Sequence, residues 1–364
     1  MNILFLTVNS NAPSTRYRIF QYLPYFKEEG INCTVKSFFS STKSINLYQN
    51  SSYKNNYIKI KTGIKGFWEE LPIWLYGNIY DVIVIHRDLM LWGPFMIDRE
   101  KWLKKFHKPI ILDYDDAVWL VKKNKTENLF SKFIKRIILG PDKKLETLLR
   151  MATHVVAGNN YLADYARGFN SKVSVIPTTV DTEHYKPMHS QKDINQKVII
   201  GWIGSPSPFL NILSKVWSKL PNNVALKVVG DIYKPEGIEY VNIKWNFKTE
   251  LKELASFDIG ITPLLDNEWT RGKCGFKTLQ YMSMAIPVVS SPVGVNKEII
   301  QDGINGFLAK DEKEWIEKLA LLIKNTNLRQ KMGLLARKTV EERYSTRIWA
   351  QKWIDLVKEI KEKQ

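Results

Sequence analysis

The chain has 364 residues, 44% of them hydrophobic, two cysteines and a formal net charge of +17. That length exceeds one ordinary core and implies two domains. Cys33 and Cys274 are too far apart in sequence to suggest a disulfide framework or metal-ligand cluster, which points to a reducing cytoplasm, and no apolar run reaches the roughly 18 residues of a spanning helix.

In chain order, residues 3–8 are apolar and read as a first buried strand rather than a leader. The loop 9–15 leads to a helix over 16–29, with Ile19, Leu23 and Phe26 on one face and Gly30 at its end. Residues 33–38 make a second strand. The polar stretch 40–56 predicts a variable loop, and 66–76 a helix. A buried strand over 81–85 runs straight into His86, Arg87 and Asp88, and another over 110–112 into Asp113, Tyr114, Asp115 and Asp116. Strands at 154–157 and 173–176 complete a parallel set. The polar run 186–197 marks a boundary. A second series begins at Val198, with a helix ending at Leu220 and strands at 225–229, 241–243, 259–262 and 287–290. From Lys313 the chain is helical, and the last helix, 345–361, carries Trp349, Trp353, Leu356 and Ile360 at helical spacing. Strands separated by helices imply an α/β fold built on doubly wound parallel sheets.

The most informative stretch is 258–296. A strand is followed by a basic loop (Arg271, Gly272, Lys273, Cys274, Gly275) and a helix over 276–284, which Pro287 prevents from continuing. A loop at a helix N-terminus offers backbone N–H groups and the positive end of the helix dipole to a phosphate. Arg271, Lys273 and Lys277 add full charges. A second such turn, Gly204, Ser205, Pro206 and Ser207, follows the strand at Val198; its bland reading is a plain strand-to-helix turn. No basic residue follows that turn before Lys215, so Arg271, Lys273 and Lys277 are expected to supply charge from the other loop.

His86 ends a buried strand and is the candidate polar group near a reacting carbon; a lone histidine is as often structural. Asp115 and Asp116 are adjacent, point differently, and make no paired acid–base site by themselves. In the loop NSNAPSTRYR, Ser14, Thr15, Arg16 and Arg18 suit an anionic acceptor through forked hydrogen bonds. Ser14 or Thr15 also suits a helix cap. Residues 121–150 hold nine Lys and Arg against three acids. Within them, 129–139 place Phe130, Phe133, Ile134, Ile137 and Ile138 on one helical side and Lys132, Lys135 and Arg136 towards the other. Such a helix either lies at an anionic membrane surface or packs its apolar stripe on a sheet. No basic–aromatic face or known module points to nucleic acid.

The strand ending at Pro263, the Gly275 turn, the run LQYMSMAIPVVSSPVG, the later DGINGFL and the segment IPTTVDTEHYKP resemble retaining GT-B-fold glycosyltransferases of family 4, the glycosyl transferases group 1 type. The resemblance spans nearly the whole chain. The family usually carries two glutamates eight positions apart; here those positions are Gly272 and Gln280. An amide at 280 still holds a ribose hydroxyl. The resemblance implies two Rossmann-like domains facing across a cleft, with residues 1–190 on the acceptor side and 198–340 binding the nucleotide-sugar. Residues 341–364 form a helix crossing back to the first domain. It implies transfer of a sugar from a nucleotide diphosphate-sugar to a hydroxyl acceptor, with retention, in surface polysaccharide or glycolipid synthesis. No metal or other cofactor is expected. The candidate catalytic residues are His86 and Lys273, by their own positions, and Asp115 and Asp116, where the resemblance places the family's histidine and where a carboxylate orients the acceptor or takes its proton. Donor binding falls to Gly204, Ser205, Arg271, Lys273, Gly275, Lys277 and Gln280. Acceptor binding falls to Ser14, Thr15, Arg16 and Arg18. The acceptor is expected to be lipid-linked, at the inner face of the cell membrane. The alternatives are a non-catalytic member, or an epimerase or hydrolase acting on sugar nucleotides on the same frame.

Overall fold

The apolar runs of the sequence become two six-stranded, all-parallel sheets in the computed structural model, which describes residues 1–39, 79–87, 108–120, 144–188, 197–205 and 208–363. The expected helix at 66–76, the stretch 129–139, and Asp88, Pro206 and Ser207 lie outside those residues. The chain divides into two compact units, one of residues 1–177 with 349–364 and one of residues 178–348.

In unit 1 the strands are β1 (Asn2–Asn9), β2 (Asn32–Phe39), β3 (Val82–His86), β4 (Ile110–Tyr114), β5 (His154–Ala157) and β6 (Val173–Val175), in the order β2-β1-β3-β4-β5-β6. Every residue of β3 and β4 is buried, as a parallel sheet covered on both faces requires. The winding reverses between β1 and β3, which makes their carboxyl ends the switch point of the sheet. Register aligns Thr7 of β1 with His86 of β3, and His86 with Asp113 of β4. Three polar side chains therefore share one row at that edge. The helix expected over 16–29 is two short ones, α1 (Pro13–Arg18) and α2 (Leu23–Glu28), joined by a 3-10 turn at Phe20–Tyr22. Pro24 has no N–H to continue the ladder, and it sits in the first turn of α2, where that loss is harmless. Ala12 precedes α1 without a side-chain cap, so neither Ser14 nor Thr15 caps it. The C-terminal helix Thr346–Glu362 buries Trp353, Ile354, Val357 and Ile360 with Ile3, Phe5, Tyr22 and Phe26. The period of that apolar stripe is what assigns the end of the chain to unit 1.

Unit 2 contains β7 (Val198–Gly204), β8 (Val224–Gly230), β9 (Glu239–Ile243), β10 (Ile259–Thr262), β11 (Val288–Ser290) and β12 (Phe307–Leu308), in the order β12-β11-β10-β7-β8-β9. The helix expected to end at Leu220 is instead two 3-10 turns, Leu210–Leu213 and Trp217–Lys219. The buried residues Leu210, Leu213 and Val216 recur every third position, the period of a 3-10 turn. At this switch point β7 and β10 pair only through Ile259–Ile200 and Gly260–Gly201. Beyond it the Ile203 N–H donates to the Tyr281 hydroxyl at 3.0 Å, so a side chain replaces the missing ladder bond. The two glycines make room: a Cβ on Gly260 would lie 2.4 Å from the Tyr281 ring, and one on Gly201 2.0 Å from Phe257.

The polar run at 186–197 suggested a boundary near residue 190, whereas unit 2 begins at Thr178. Val180 exchanges backbone hydrogen bonds with Tyr344 and Thr346, and Arg337 donates to the carbonyls of Thr182 and Tyr185, so 178–185 is tied to unit 2. Among the described residues no helix is long and apolar enough to cross a membrane.

Substituting Gly260→Ala forces the buried Tyr281 ring aside and is expected to lower stability by about 2 kcal/mol. A urea midpoint equal to that of the unsubstituted chain contradicts the account of the Gly260–Tyr281 contact.

Candidate functional site

The switch point of unit 2 is built from three local features. The first is the end of β7, where Gly204 has φ 108° and packs so closely on Gly230 of β8 that a Cβ on Gly230 would lie 2.2 Å from the Gly204 carbonyl oxygen. Ser205 follows and donates to Asp231 Oδ2 at 2.8 Å. The second is helix α7, which we number after α3 (Lys144–Met151), α4 (Asn160–Arg167), α5 (Glu250–Ala255) and α6 (Glu268–Arg271). It spans Phe276–Ser283 and starts, as the sequence implied, just after Gly275. Gly275 has φ 70°, and a Cβ there would meet Ile299 at 2.6 Å, so position and space both demand glycine. The residue before this helix, Gly275, has no side chain with which to cap it.

The third feature is charge. The Lys277 side chain crosses to the β7 turn: its Cε lies 2.9 Å from where a Gly204 Cβ would stand, and its ammonium is 5.0 Å from the Trp202 ring centroid. Lys273 holds its ammonium 4.0 Å over the Trp269 ring. Trp269 stacks on Phe209, and Phe209 packs on Trp202, so the two lysines border one aromatic wall. Arg271 pairs with Asp266 at 2.6 Å at the surface, where such a pair is weak. The structure thus brings Gly204 and Lys277 together and places Lys273 and Gly275 on the loop between Arg271, the end of α6, and α7.

Gln280 is elsewhere. It is buried, and its amide donates to Glu250 Oε1 at 2.8 Å and to the Tyr185 hydroxyl at 3.2 Å. Glu250, also buried, accepts from Tyr185 at 2.5 Å and from the Trp245 indole at 2.8 Å. The acid that position 280 lacks therefore stands beside it on α5. Sequence reading missed Glu250 because nothing in an ordinary helix start distinguishes a carboxylate that turns inward.

The switch point of unit 1 holds the other named residues. His86 is buried, and its Nδ1 lies 2.8 Å from Asp113 Oδ2. Arg18, expected to bind an anionic acceptor, is instead enclosed: it forms a two-pronged pair with Asp113 and donates to the Ile176 carbonyl at 2.7 Å. Burial pushes the Asp113 carboxyl up, but Arg18 and His86 outweigh it and hold the group below the usual carboxylate range. Thr15 is fully buried and bonds to Thr7 and the Asn9 carbonyl, while Ser14 is buried beside it. These three therefore pack α1 against the sheet rather than face a substrate. Arg16 donates to the Tyr17 hydroxyl and lies over its ring. Asp115 accepts from Arg87 at 2.5 Å, and Asp116 is 3.9 Å from the same guanidinium. Burial raises the Asp115 carboxyl and Arg87 more than reverses that. Asp113 was passed over in favour of its neighbours; the signal for it is a charged residue inside a wholly apolar strand. Among the described residues no three His, Cys, Asp or Glu are grouped to hold a metal.

Residues 199–325 match the family model described as glycosyl transferases group 1. The trehalose synthases of Thermococcus litoralis and Pyrococcus furiosus are each 32% identical over 374 aligned positions, covering 92% of this chain and 82% of theirs. The chain belongs to the group 1 glycosyltransferases. Its fold is that of the GT-B enzymes: Anabaena Alr3699/HepE in complex with UDP superposes with a TM-score of 0.67 at 16% identity, over 99% of this chain and all of that one. Sucrose-phosphate synthase from Thermosynechococcus elongatus gives 0.68 at 10% identity over the full length of both. In this glycosyltransferase position 280 is an amide that donates to the buried Glu250 carboxylate.

Replacing Gln280→Glu puts two buried carboxyls about 3 Å apart, and one of them must stay protonated. Stability is expected to fall by about 3 kcal/mol. The exchanged pair Glu250→Gln with Gln280→Glu should recover most of it in a urea titration; no loss in the single variant contradicts the network.

Proposed function

We propose that this glycosyltransferase moves a sugar from a nucleoside diphosphate-sugar to a hydroxyl acceptor, with retention and without a metal. The observation that carries the reading is the convergence of Lys277 on the Gly204 turn, in the same unit as the start of α7. A departing diphosphate needs dense positive potential that is already in place before the bond breaks. Helix N–H groups, the dipole of α7 and the ammonium groups of Lys273 and Lys277 provide it without a metal ion. That Alr3699/HepE is known in complex with UDP-glucose supports a donor of this class.

The step itself moves one bond. The bond from the anomeric carbon to the diphosphate oxygen breaks, and the electron pair leaves with the diphosphate. With retention, the acceptor oxygen bonds to the carbon on the face from which the diphosphate departs, and its proton passes to a base. Unit 1 is the acceptor side, where the candidates are His86, at the carboxyl end of β3, and Asp115 and Asp116, after β4, where a carboxylate orients the acceptor or takes its proton. Asp115, Asp116 and Arg87 form the charged margin of that edge, with Arg16 on the neighbouring helix α1.

A hydrolysis and transfer assay across UDP-, GDP-, ADP- and dTDP-glucose tests the activity. Turnover of at least one donor is expected, and turnover of none, with no nucleotide binding, favours a non-catalytic protein. The joint variant Lys273→Ala, Lys277→Ala should lower kcat by about 100-fold or more and weaken UDP binding in calorimetry. Unchanged nucleotide affinity would sink the assignment of these lysines.

We also propose that the acceptor is lipid-linked, in surface polysaccharide or glycolipid synthesis at the inner face of the membrane. The support is the sequence of 121–150, nine basic residues with an apolar stripe. Each basic residue near an anionic surface contributes about 1 kcal/mol. Co-sedimentation with vesicles containing anionic lipid, lost when Lys132, Lys135 and Arg136 become Ser, is the expected result. Absence of binding at low salt rules it out.

A further inference from the structure

We propose that the stacked rings of Trp202, Phe209 and Trp269 are positioning residues: their faces hold the ammonium groups of Lys273 and Lys277 in place for a nucleoside diphosphate without adding a charge that cancels theirs. The proposal rests on the reading of this turn as the diphosphate site and adds to it how the two lysines are held. All the residues it needs lie in unit 2.

A lysine beside an anion site poses a physical problem. Its four-carbon stem is flexible, and ordering it only when the ligand arrives detracts from binding. A carboxylate would fix the stem but would also cancel its charge. Arg271 shows that outcome, since its guanidinium pairs with Asp266 at 2.6 Å. An aromatic face attracts an ammonium through the ring quadrupole and carries no net charge, so it orients the cation and adds nothing negative beside it. Lys273 holds its ammonium 4.0 Å over the Trp269 ring. The Lys277 ammonium lies 5.0 Å from the Trp202 centroid and 6.0 Å from that of Phe209.

The rings are themselves fixed. Trp202 is buried, and its indole N–H donates to the Gly204 carbonyl at 3.0 Å, which ties the row to the turn. Phe209 packs on Trp202 with centroids 5.7 Å apart, and Trp269 stacks on Phe209 at 5.8 Å with 22° between the planes. Helix α6, which carries Trp269, is held at both ends. Asn267 and Thr270 form a reciprocal cap at its start, and at its end the Arg271 carbonyl packs on Gly294, where a Cβ would lie 2.9 Å away. The row runs outward from the core: Trp202 is 1% exposed and Trp269 40%. Both lysines are partly exposed, so a ligand from solvent reaches them. Trp269, Lys273 and Lys277 are spaced four apart, yet they share no helix, because α6 ends at Arg271 and Gly275, at φ 70°, precedes α7. Their alignment comes from the row of rings and not from a helical period.

Calorimetry on the full chain with UDP, GDP, ADP and dTDP identifies the nucleotide bound most tightly, which then serves as the probe. Lys273→Ala should weaken its binding about 10-fold, and Trp269→Leu about 5-fold. Trp269→Phe keeps a ring and should stay within about 2-fold of the unsubstituted chain. The deciding variant joins Trp269→Leu to Lys273→Ala. A ring that acts through the lysine leaves nothing further to lose, so the joint loss should match the loss in Lys273→Ala alone. Losses that multiply to about 50-fold show that Trp269 acts on the fold or on the ligand directly, and overturn the proposal. Unchanged affinity in Trp269→Leu also overturns it, as does Trp269→Phe binding as weakly as Trp269→Leu. Binding of none of the four nucleotides, or Lys273→Ala without effect on affinity, overturns instead the underlying reading of the diphosphate site.

Discussion

A carboxylate taken out of water is tolerated only where donors meet the oxygens it turns inward. Asp113 imposes that condition on unit 1. It sits in a strand whose other residues are apolar, so solvent cannot satisfy it. Arg18 and His86 do, from two different elements. Arg18 reaches it because α1 ends at that residue, and α1 is short because the chain restarts its helix at Leu23 and Pro24. His86 reaches it because β3 and β4 are in register at that level. One charge therefore decides where a loop, a helix end and a histidine must lie.

Unit 2 solves the same problem with neutral donors. Glu250 is met by a phenol, an amide and an indole from three separate segments. The segment at 178–185 is part of this arrangement, since Tyr185 reaches into it and Arg337 holds the Tyr185 carbonyl. The network also makes sense of an unusual residue. Position 280 bears an amide, and an amide donor is what the neighbouring Glu250 carboxylate needs. The phosphate-facing features are independent of that network. They depend on glycine at 204 and 275, where backbone conformation and lack of space exclude a side chain, and on two lysines laid against aromatic rings.

Much was legible before any coordinates. Alternation of apolar runs with amphipathic segments is a local property, so the strands and the helix after Gly275 could be read from spacing and from Pro287. The stripe of Trp349, Trp353, Leu356 and Ile360 likewise announced a helix packed along one face. Where reading failed, tertiary packing had overridden a local rule. The residues near 16–29 had helical periodicity but also Pro24, and 210–219 had a three-residue period that suits a tighter turn.

The residues of the chain determined which segments are strands, that the sheets are parallel, and that a basic glycine turn precedes a helix, because those features follow from side-chain period and backbone stereochemistry. Only the folded structure decided which polar groups face outward. Arg16 and Arg18 are two residues apart and chemically alike, yet Arg18 is enclosed with Asp113 and Arg16 is not. Gln280 and Lys277 share one helix, yet one turns to Glu250 and the other to Gly204. That choice depends on what lies opposite each side chain, and the opposing group is 95 residues away for Arg18 and 30 for Gln280. No local pattern carries that information, since it arises only when distant segments meet.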